Sequence, residues 1–224
     1  MQLRIDMKDL SQYRTIIFDC DGVVLNSNFQ KIEAYRNTAL KFGATPTQAQ
    51  ALVDHHISLT GISRYVKFDF FLEKIIKTDN TDDKKNFLVN TLNQEVLRLL
   101  KDCEIAEGLQ NLKKQTSSSR WMIASGGDQS ELRHLFKEKK IEHFFESGIF
   151  GSPRSKHQII QEELPNESFF PAIFLGDSLY DIDTAMKFNL DFIFISGWTD
   201  LDNWEDVCEK RNLFTVNSIK DLIN

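Results

Sequence analysis

A rhythm of short apolar runs constrains this chain more than anything else in it. Thr15–Phe18 (TIIF), Trp121–Ser125 (WMIAS), Ala172–Gly176 (AIFLG), Phe192–Ser196 (FIFIS) and Leu213–Val216 (LFTV) are β-branched or aromatic in character and read as buried strands. Helical patterns fill the gaps between the later ones, at 128–140, 155–163, 179–188 and 203–211. Strands alternating with helices build right-handed βαβ units, so the expected class is α/β, a parallel sheet flanked by helices. Two interruptions, ESGIFGSP and LPNESFFP, read as loops.

The stretch from about Asn28 to Asp102 breaks the rhythm. It holds no convincing strand but helical patterns at 28–42, 46–56, 62–77 and 83–101. In the third, Phe68, Phe71, Leu72 and Ile75 fall at i, i+3, i+4 and i+7, one face of a helix. The expected organisation is therefore an α/β core formed by 1–27 and 103–224, interrupted after its first strand by a helical cap at 28–102. The sheet should resume near Ile105, with QTSSSR at 115–120 as a polar loop.

Composition fits this plan and narrows the partners. The 224 residues suffice for a core with a smaller insertion, and a hydrophobic fraction of 41% with 18 Phe signals a packed interior. Lys plus Arg number 27 against 33 Asp plus Glu, a formal charge of -6 without a basic tract, so nucleic acid is not an expected partner. MQLRIDMKDLSQYR lacks the apolar centre of a signal peptide, and no run has the length of a membrane span. Cysteines at 20, 103 and 208 show no metal-type spacing, and their odd number argues against a disulfide framework. A soluble, reduced, cytoplasmic protein is expected, as monomer or dimer.

Open parallel sheets form their sites outside the carboxyl ends of the strands. Polar residues cluster there: Asp19 and Asp21 after the first run, Ser125 after the second, Asp177 after the third. In extended backbone, residues i and i+2 point the same way, so Asp19 and Asp21 can share a pocket while Cys20 faces away. Asp181 lies one helical turn beyond Asp177. So many carboxylates together repel unless a cation neutralises them, and hard oxygen ligands favour Mg²⁺. The competing reading is a set of acids capping turns and helix N-termini.

Four ordered stretches, FDCDGVVLNSN, MIASGG, GSPRSK and FLGDSLYD, together resemble the motifs of the haloacid dehalogenase superfamily, mainly its capped phosphatases, including members like β-phosphoglucomutase and phosphoglycolate phosphatase. The resemblance implies a Rossmann-like core with a helical cap inserted between the first and second motifs. It also implies a role for each matching residue. Asp19 would be the nucleophile that forms an aspartyl phosphate, and Asp21 the general acid and then base. Asp19, Asp177 and the backbone carbonyl of Asp21 would hold Mg²⁺, with Asp181 acting through water or a neighbouring ligand. Ser125 and nearby backbone N–H groups, Gly126 among them, would bind phosphoryl oxygens. Lys156, near a helix N-terminus, would neutralise charge on the phosphoryl group and on Asp19.

Other candidates weigh less. A cysteine phosphatase needs Arg six positions after Cys, but Asn26, Leu109 and Phe214 stand there. SGGD lacks the G-x-G-x-x-G pattern of a dinucleotide site, and no Walker-type G-K-[ST] occurs. Adjacent His55 and His56 need not point together. Arg64 lies about 40° from Phe68 and about 20° from Phe71 around its helix, so it shares the apolar stripe. Either it reaches the substrate from the cap, or its stem covers apolar surface and its head finds water; Lys67 is a weaker candidate of the same kind. Capped relatives often carry an acid near the position of Asn26, and LNS here marks a departure at the hinge into the cap.

The expected activity is a Mg²⁺-dependent phosphatase acting on a small phosphorylated metabolite of the sugar or sugar-acid kind. A phosphomutase is the nearest alternative, since it too forms an aspartyl phosphate. Dehalogenation generally dispenses with the second aspartate and with Mg²⁺, so Asp21 and Asp177 count against it. A non-catalytic binding or regulatory member would be expected to lack some of Asp19, Asp21, Ser125, Lys156 and Asp177, which are all present.

Overall fold

The computed structural model describes residues 9–223; the first eight residues and Asn224, which the expected core includes, lie outside them. Among the described residues a single sheet contains β1 (Thr15–Phe18), β2 (Arg120–Asp128), β3 (Ile149–Ser152), β4 (Ala172–Gly176), β5 (Asp191–Ile195) and β6 (Phe214–Val216). The spatial order is β3-β2-β1-β4-β5-β6, with every neighbouring pair parallel. β1 thus lies centrally, and the chain winds outward from it in both directions.

Alternation along the strands divides the interior in two. Ile16 and Phe18 join Trp121 and Ile123 on one face, whereas Ile17 joins Met122, Ala124 and Phe174 on the other. The first face is covered by α5 (Leu109–Gln115) and α6 (Gln129–Glu138), and the second by α7 (Lys156–Glu163), α8 (Leu179–Lys187) and α9 (Trp204–Arg211). Between β1 and α5 in the chain come α1 (Asn28–Lys41), α2 (Pro46–Ser58), α3 (Arg64–Phe70) and α4 (Asp82–Leu100), and α1 packs on both α2 and α4. A capping box of Thr45 and Gln48, with Pro46 in the first turn, fixes the start of α2.

The chain leaves and re-enters the sheet region side by side. Asn26 N–H donates to the Glu104 carbonyl at 3.0 Å and Ala106 N–H to that of Val24 at 2.9 Å. The Asn26 side chain adds a bond to Glu104 Oε2 at 2.9 Å, so the unusual LNS stretch ties the two connections together.

Three local readings change. ESGIFGSP is not only loop, because its centre forms the edge strand β3. Its glycines suggested a turn, yet a Cβ at Gly151 would lie 2.3 Å from the Gly127 carbonyl oxygen, so Gly151 serves close strand approach. The sheet resumes at Arg120 rather than Ile105, which makes only an isolated antiparallel bridge with Leu25 before the short helix α5. QTSSSR is the expected polar turn, anchored by its two buried residues: Trp121 Nε1 donates to Thr116 Oγ1 at 2.9 Å, and Ser119 Oγ to the Tyr13 carbonyl at 2.6 Å. The pattern at 62–77 holds α3 followed by a π-helical turn, Phe71–Ile76.

Phe18 is fully buried, with its ring centroid 4.6 Å from that of Trp121 and 5.5 Å from that of Phe145. Phe18→Ala should therefore destabilise the fold by about 3–5 kcal/mol. Urea unfolding should show this as a lowered midpoint with an unchanged slope.

Candidate active site

β1 and β4 are neighbours where the winding direction reverses, the place where an α/β sheet opens a crevice. Asp19 and Asp177 leave their C-terminal ends, and Asp19 N–H still donates to the Leu175 carbonyl at 2.9 Å. Asp19, Asp177 and Asp181 are buried, and each can present an oxygen within 4.8 Å of the others. Gly22 lets this happen, for its φ is +78° and a Cβ there would sit 2.0 Å from Asp177 Oδ2.

Lys156 is the cation among these acids. It opens α7, whose start is fixed by a capping box of Ser155 and Gln158. Its Nζ lies 2.9 Å from Asp19 Oδ2 and 2.5 Å from Asp181 Oδ1. Burial opposes its charge, but Asp181 and Asp19 hold its pKa above the ordinary lysine range. Asp181 Oδ2 meanwhile accepts from the Ser178 hydroxyl at 2.6 Å and caps α8. Asp181 is therefore both the helix-capping acid and the partner of the site lysine.

One ammonium does not balance three carboxylates. Burial, reinforced by Asp19 and Asp181, pushes Asp177 well above the usual range. Burial also raises Asp19, against the pull of Lys156 and with Asp181 and Asp21 adding to the rise. Asp177 Oδ2 accepts from Asn28 Nδ2 at 3.1 Å, while its Oδ1 is buried without a hydrogen-bond partner. An orphaned carboxylate oxygen beside further buried oxygens matches the donor set of a hard divalent cation. The Asp21 side chain stands apart from this trio and contributes no carboxylate oxygen to it.

Asp21 faces the helices instead. Lys31 Nζ from α1 lies 2.5 Å from Asp21 Oδ2, and Ser27 Oγ donates to Oδ1 at 2.6 Å. Burial alone would raise Asp21, yet Lys31 and Ser27 bring its pKa below the ordinary carboxylate value. Asp19 and Asp21 line one cavity of about 40 Å³ with Lys31, Arg64, Lys67, His56, Gly126 and Asp200 also in its wall. The two acids thus share a pocket, while Cys20 is buried in the core and its thiol is pushed far up by burial, away from thiolate chemistry.

Ser125 and Gly126 lie where β2 slips register. Ala124 pairs with Phe150 and Asp128 with Ser152, so Ser125–Gly127 oppose Gly151 alone. Such a bulge turns backbone groups out of the ladder. Ser125 Oγ is fully buried and accepts from Gly127 N–H at 3.0 Å, and it is Gly126 and Gly127 that line the cavity. A Cβ on Gly126 would lie 2.3 Å from the Gly61 carbonyl, which shows how closely the α2–α3 loop covers this turn.

Arg64 does not place its head in water: it lines the same cavity as Asp19 and Asp21 and is held within the protein. It is 3% exposed, and its guanidinium meets Glu131 of α6 through Nη1–Oε2 at 2.8 Å and Nη2–Oε1 at 3.0 Å. Nη1 also donates to Asn93 Oδ1, and Nε has no partner. The two histidines diverge. His55 stacks on Phe70, whereas His56 stacks on Tyr35 and accepts from Lys67 Nζ through Nδ1 at 2.8 Å. Lys31, Asn28 and Glu131 escaped sequence reading, because a polar residue on a helix surface is ordinarily solvated. Lys67 carried one signal, its position three residues after Arg64 on the same helix face.

A parallel α/β sheet with buried acids at its switch point, roofed by an insertion after β1, defines a class of capped α/β proteins. A family model for haloacid dehalogenase-like hydrolases matches residues 16–195, and the chain belongs to that family. No curated protein matches the sequence. Solved structures share the fold at low identity. A β-phosphoglucomutase from Clostridium difficile is 20% identical, with 94% of this chain and 93% of that chain covered and a TM-score of 0.70. A predicted phosphatase from Clostridium acetobutylicum is 19% identical over 94% and 96%, TM-score 0.70. A predicted phosphoglycolate phosphatase from Haemophilus somnus is 14% identical over 95% and 97%, TM-score 0.70. Among the described residues no helix is long and apolar enough to cross a membrane.

Two predictions follow from the buried charges. Arg64→Met strands Glu131 without its partner and should cost about 3–5 kcal/mol, while Arg64→Met with Glu131→Leu should recover most of it in urea unfolding. Burial, with Lys31 and Arg64 nearby and only Asp200 and Asp21 opposing, depresses Lys67 from 10.5 to about 7. Between those two values the unfolded chain keeps a proton that the folded protein has released, so stability rises with pH across that window. Lys67→Met should therefore have a higher Tm than wild type below pH 7, and the gap should shrink toward pH 10.

Proposed function

We propose that this protein is a Mg²⁺-dependent phosphatase that hydrolyses a small phosphorylated metabolite through an aspartyl-phosphate intermediate. The observation that carries the reading is Asp19 held beside Lys156 and Asp177 at the switch point, with Asp21 two residues on in the same cavity. An Asp19 oxygen attacks phosphorus, the ester P–O bond breaks, and Asp21 protonates the departing oxygen. Water, losing a proton to Asp21, then attacks the phosphorus, releases phosphate and restores Asp19. Lys31 favours the ionised Asp21 that this second half requires.

Phosphoryl transfer asks mainly for positioning and for neutralisation of spread-out negative charge. Lys156 neutralises charge on Asp19 and the phosphoryl oxygens, and Asp181 fixes the lysine in place. The turn at Ser125 and Gly126 supplies backbone donors for the same oxygens. Asp19, Asp177 and the Asp21 carbonyl would hold Mg²⁺, which when bound supplies further neutralising charge to the transferring group. Residues 28–102 act as a cap that excludes bulk water, leaving 1–27 and 103–224 as the catalytic core.

A phosphate-release screen over sugar phosphates, sugar-acid phosphates, phosphoglycolate and nucleotides tests this. Turnover of at least one small ester is expected with Mg²⁺, its loss with chelator, and a fall of at least about 10³-fold in Asp19→Asn, as befits removal of a covalent nucleophile. Equal activity of wild type and Asp19→Asn would refute the mechanism. An isomerised phosphate ester in place of free phosphate would identify a phosphomutase.

A further inference from the structure

We propose that Asn28 is a positioning residue for the cation site: it holds Asp177 by one carboxylate oxygen and so presents the other, Oδ1, to Mg²⁺. This deepens the phosphatase reading and rests on it for the identity of the ion.

The argument begins with Asp177 itself. Lys156 reaches Asp19 and Asp181 but forms no ion pair with Asp177 among the described residues. Asp177 is nonetheless fixed group by group. Its N–H donates to Asp181 Oδ2 at 3.3 Å, and its carbonyl accepts from Thr199 Oγ1 at 2.6 Å. Its side-chain Oδ2 accepts from Asn28 Nδ2 at 3.1 Å. Only Oδ1 is left over, buried and without a hydrogen-bond partner. The terminal torsion of an aspartate is soft and nearly two-fold, so its oxygens exchange places easily unless one of them is held. Asn28 is the group that holds one.

Asn28 is aimed in its turn. The same Nδ2 donates to the Trp198 carbonyl at 2.8 Å. A backbone carbonyl only accepts, so the amide must turn its NH₂ to this corner, and its second N–H meets Asp177. Trp198 and Thr199 are consecutive, so one loop after β5 sets both the Asn28 amide and the Asp177 backbone. The start of α1 is arranged around the same acids. Ser27 is its N-cap residue but makes no capping hydrogen bond, and its hydroxyl goes to Asp21 Oδ1 at 2.6 Å. Serine ordinarily caps at that position, so its diversion shows that the site takes precedence over the helix end. Asn28, the next residue, is buried and serves Asp177. Gly22 makes room for this contact, since a Cβ there would lie 2.0 Å from Asp177 Oδ2 and 2.8 Å from Asn28 Nδ2. A mere tie between α1 and the sheet region would need only the Trp198 carbonyl. The second bond goes to the acid whose remaining oxygen is unmet.

Calorimetric titration of Mg²⁺ into substrate-free protein tests this. Asn28→Ala should raise the Kd about 10–100-fold, as loss of a hydrogen bond to a metal-binding carboxylate does. The gain in Tm on adding a fixed concentration of Mg²⁺ should shrink with it. Asn28→Ser, which keeps a small polar side chain at the helix start, should also weaken Mg²⁺ and serves where Asn28→Ala is too unstable to titrate. A role in folding alone would lower the Tm in chelator and leave the Kd unchanged; that result would overturn the proposal, as would a wild type that binds no Mg²⁺. The phosphate-release screen judges the other level separately. Mg²⁺ binding that weakens in Asn28→Ala, without turnover of any ester by wild type, would keep Asn28 in this role and refute the phosphatase. Mg²⁺-dependent turnover with equal Kd in wild type and variant would do the reverse.

Discussion

Lys156 stands fully buried between two carboxylates, and much of the site depends on that contact. Its ammonium fixes Asp19 from one side and Asp181 from the other. Asp181 reaches it only because Ser178 and Asp181 close the capping box of α8, and Lys156 only because Ser155 and Gln158 close that of α7. Two helix starts from opposite flanks of β4 and β2 thus converge on the end of β1. The arrangement remains short of positive charge, as the orphaned Asp177 oxygen and the raised Asp19 and Asp177 show. Burial makes that deficit expensive, and the unmet carboxylate oxygens match the donor set of a hard divalent cation.

The helical layer has the opposite sign. It sends Lys31, Arg64 and Lys67 toward strand ends that carry Asp19, Asp21 and Asp177. Two of these cations form ion pairs with the sheet side, Lys31 with Asp21 and Arg64 with Glu131. Apolar packing unites the four helices, but these pairs, with Thr60 to Asp200 and Ser152 to Ser63, fix where the layer sits over the site. Any outward swing of the layer would expose both ion pairs to water, where such contacts are worth far less.

The core was largely legible because its signals are local. β1 and β4 coincide with TIIF and AIFLG, since continuous apolar runs mark strands buried on both faces. Asp19, Asp21 and Asp177 could be placed at strand ends by counting, and the cavity does join Asp19 to Asp21. β3 was hidden because its glycines serve packing against β2 rather than turning. For Asp181, capping and site chemistry were posed as alternatives, and the side chain does both through different oxygens.

The helical layer was legible as helices and illegible as a surface. Periodicity says which face is apolar, but a buried lysine and a solvated one have the same letter. Lys31 lies on α1 as any surface lysine would, and only the fold brings it ten residues back onto Asp21. Lys67 ranked below Arg64 in sequence, yet the structure reverses their availability: Arg64 is largely satisfied within the protein, and Lys67 is not. The asymmetry has a physical origin. Asp19, Asp21 and Asp177 are bound to strand ends by backbone geometry, so their spacing survives in one dimension. Lys31 and Lys67 need only arrive at the cavity from some helix, so their place in its wall appears only once burial and partners are known.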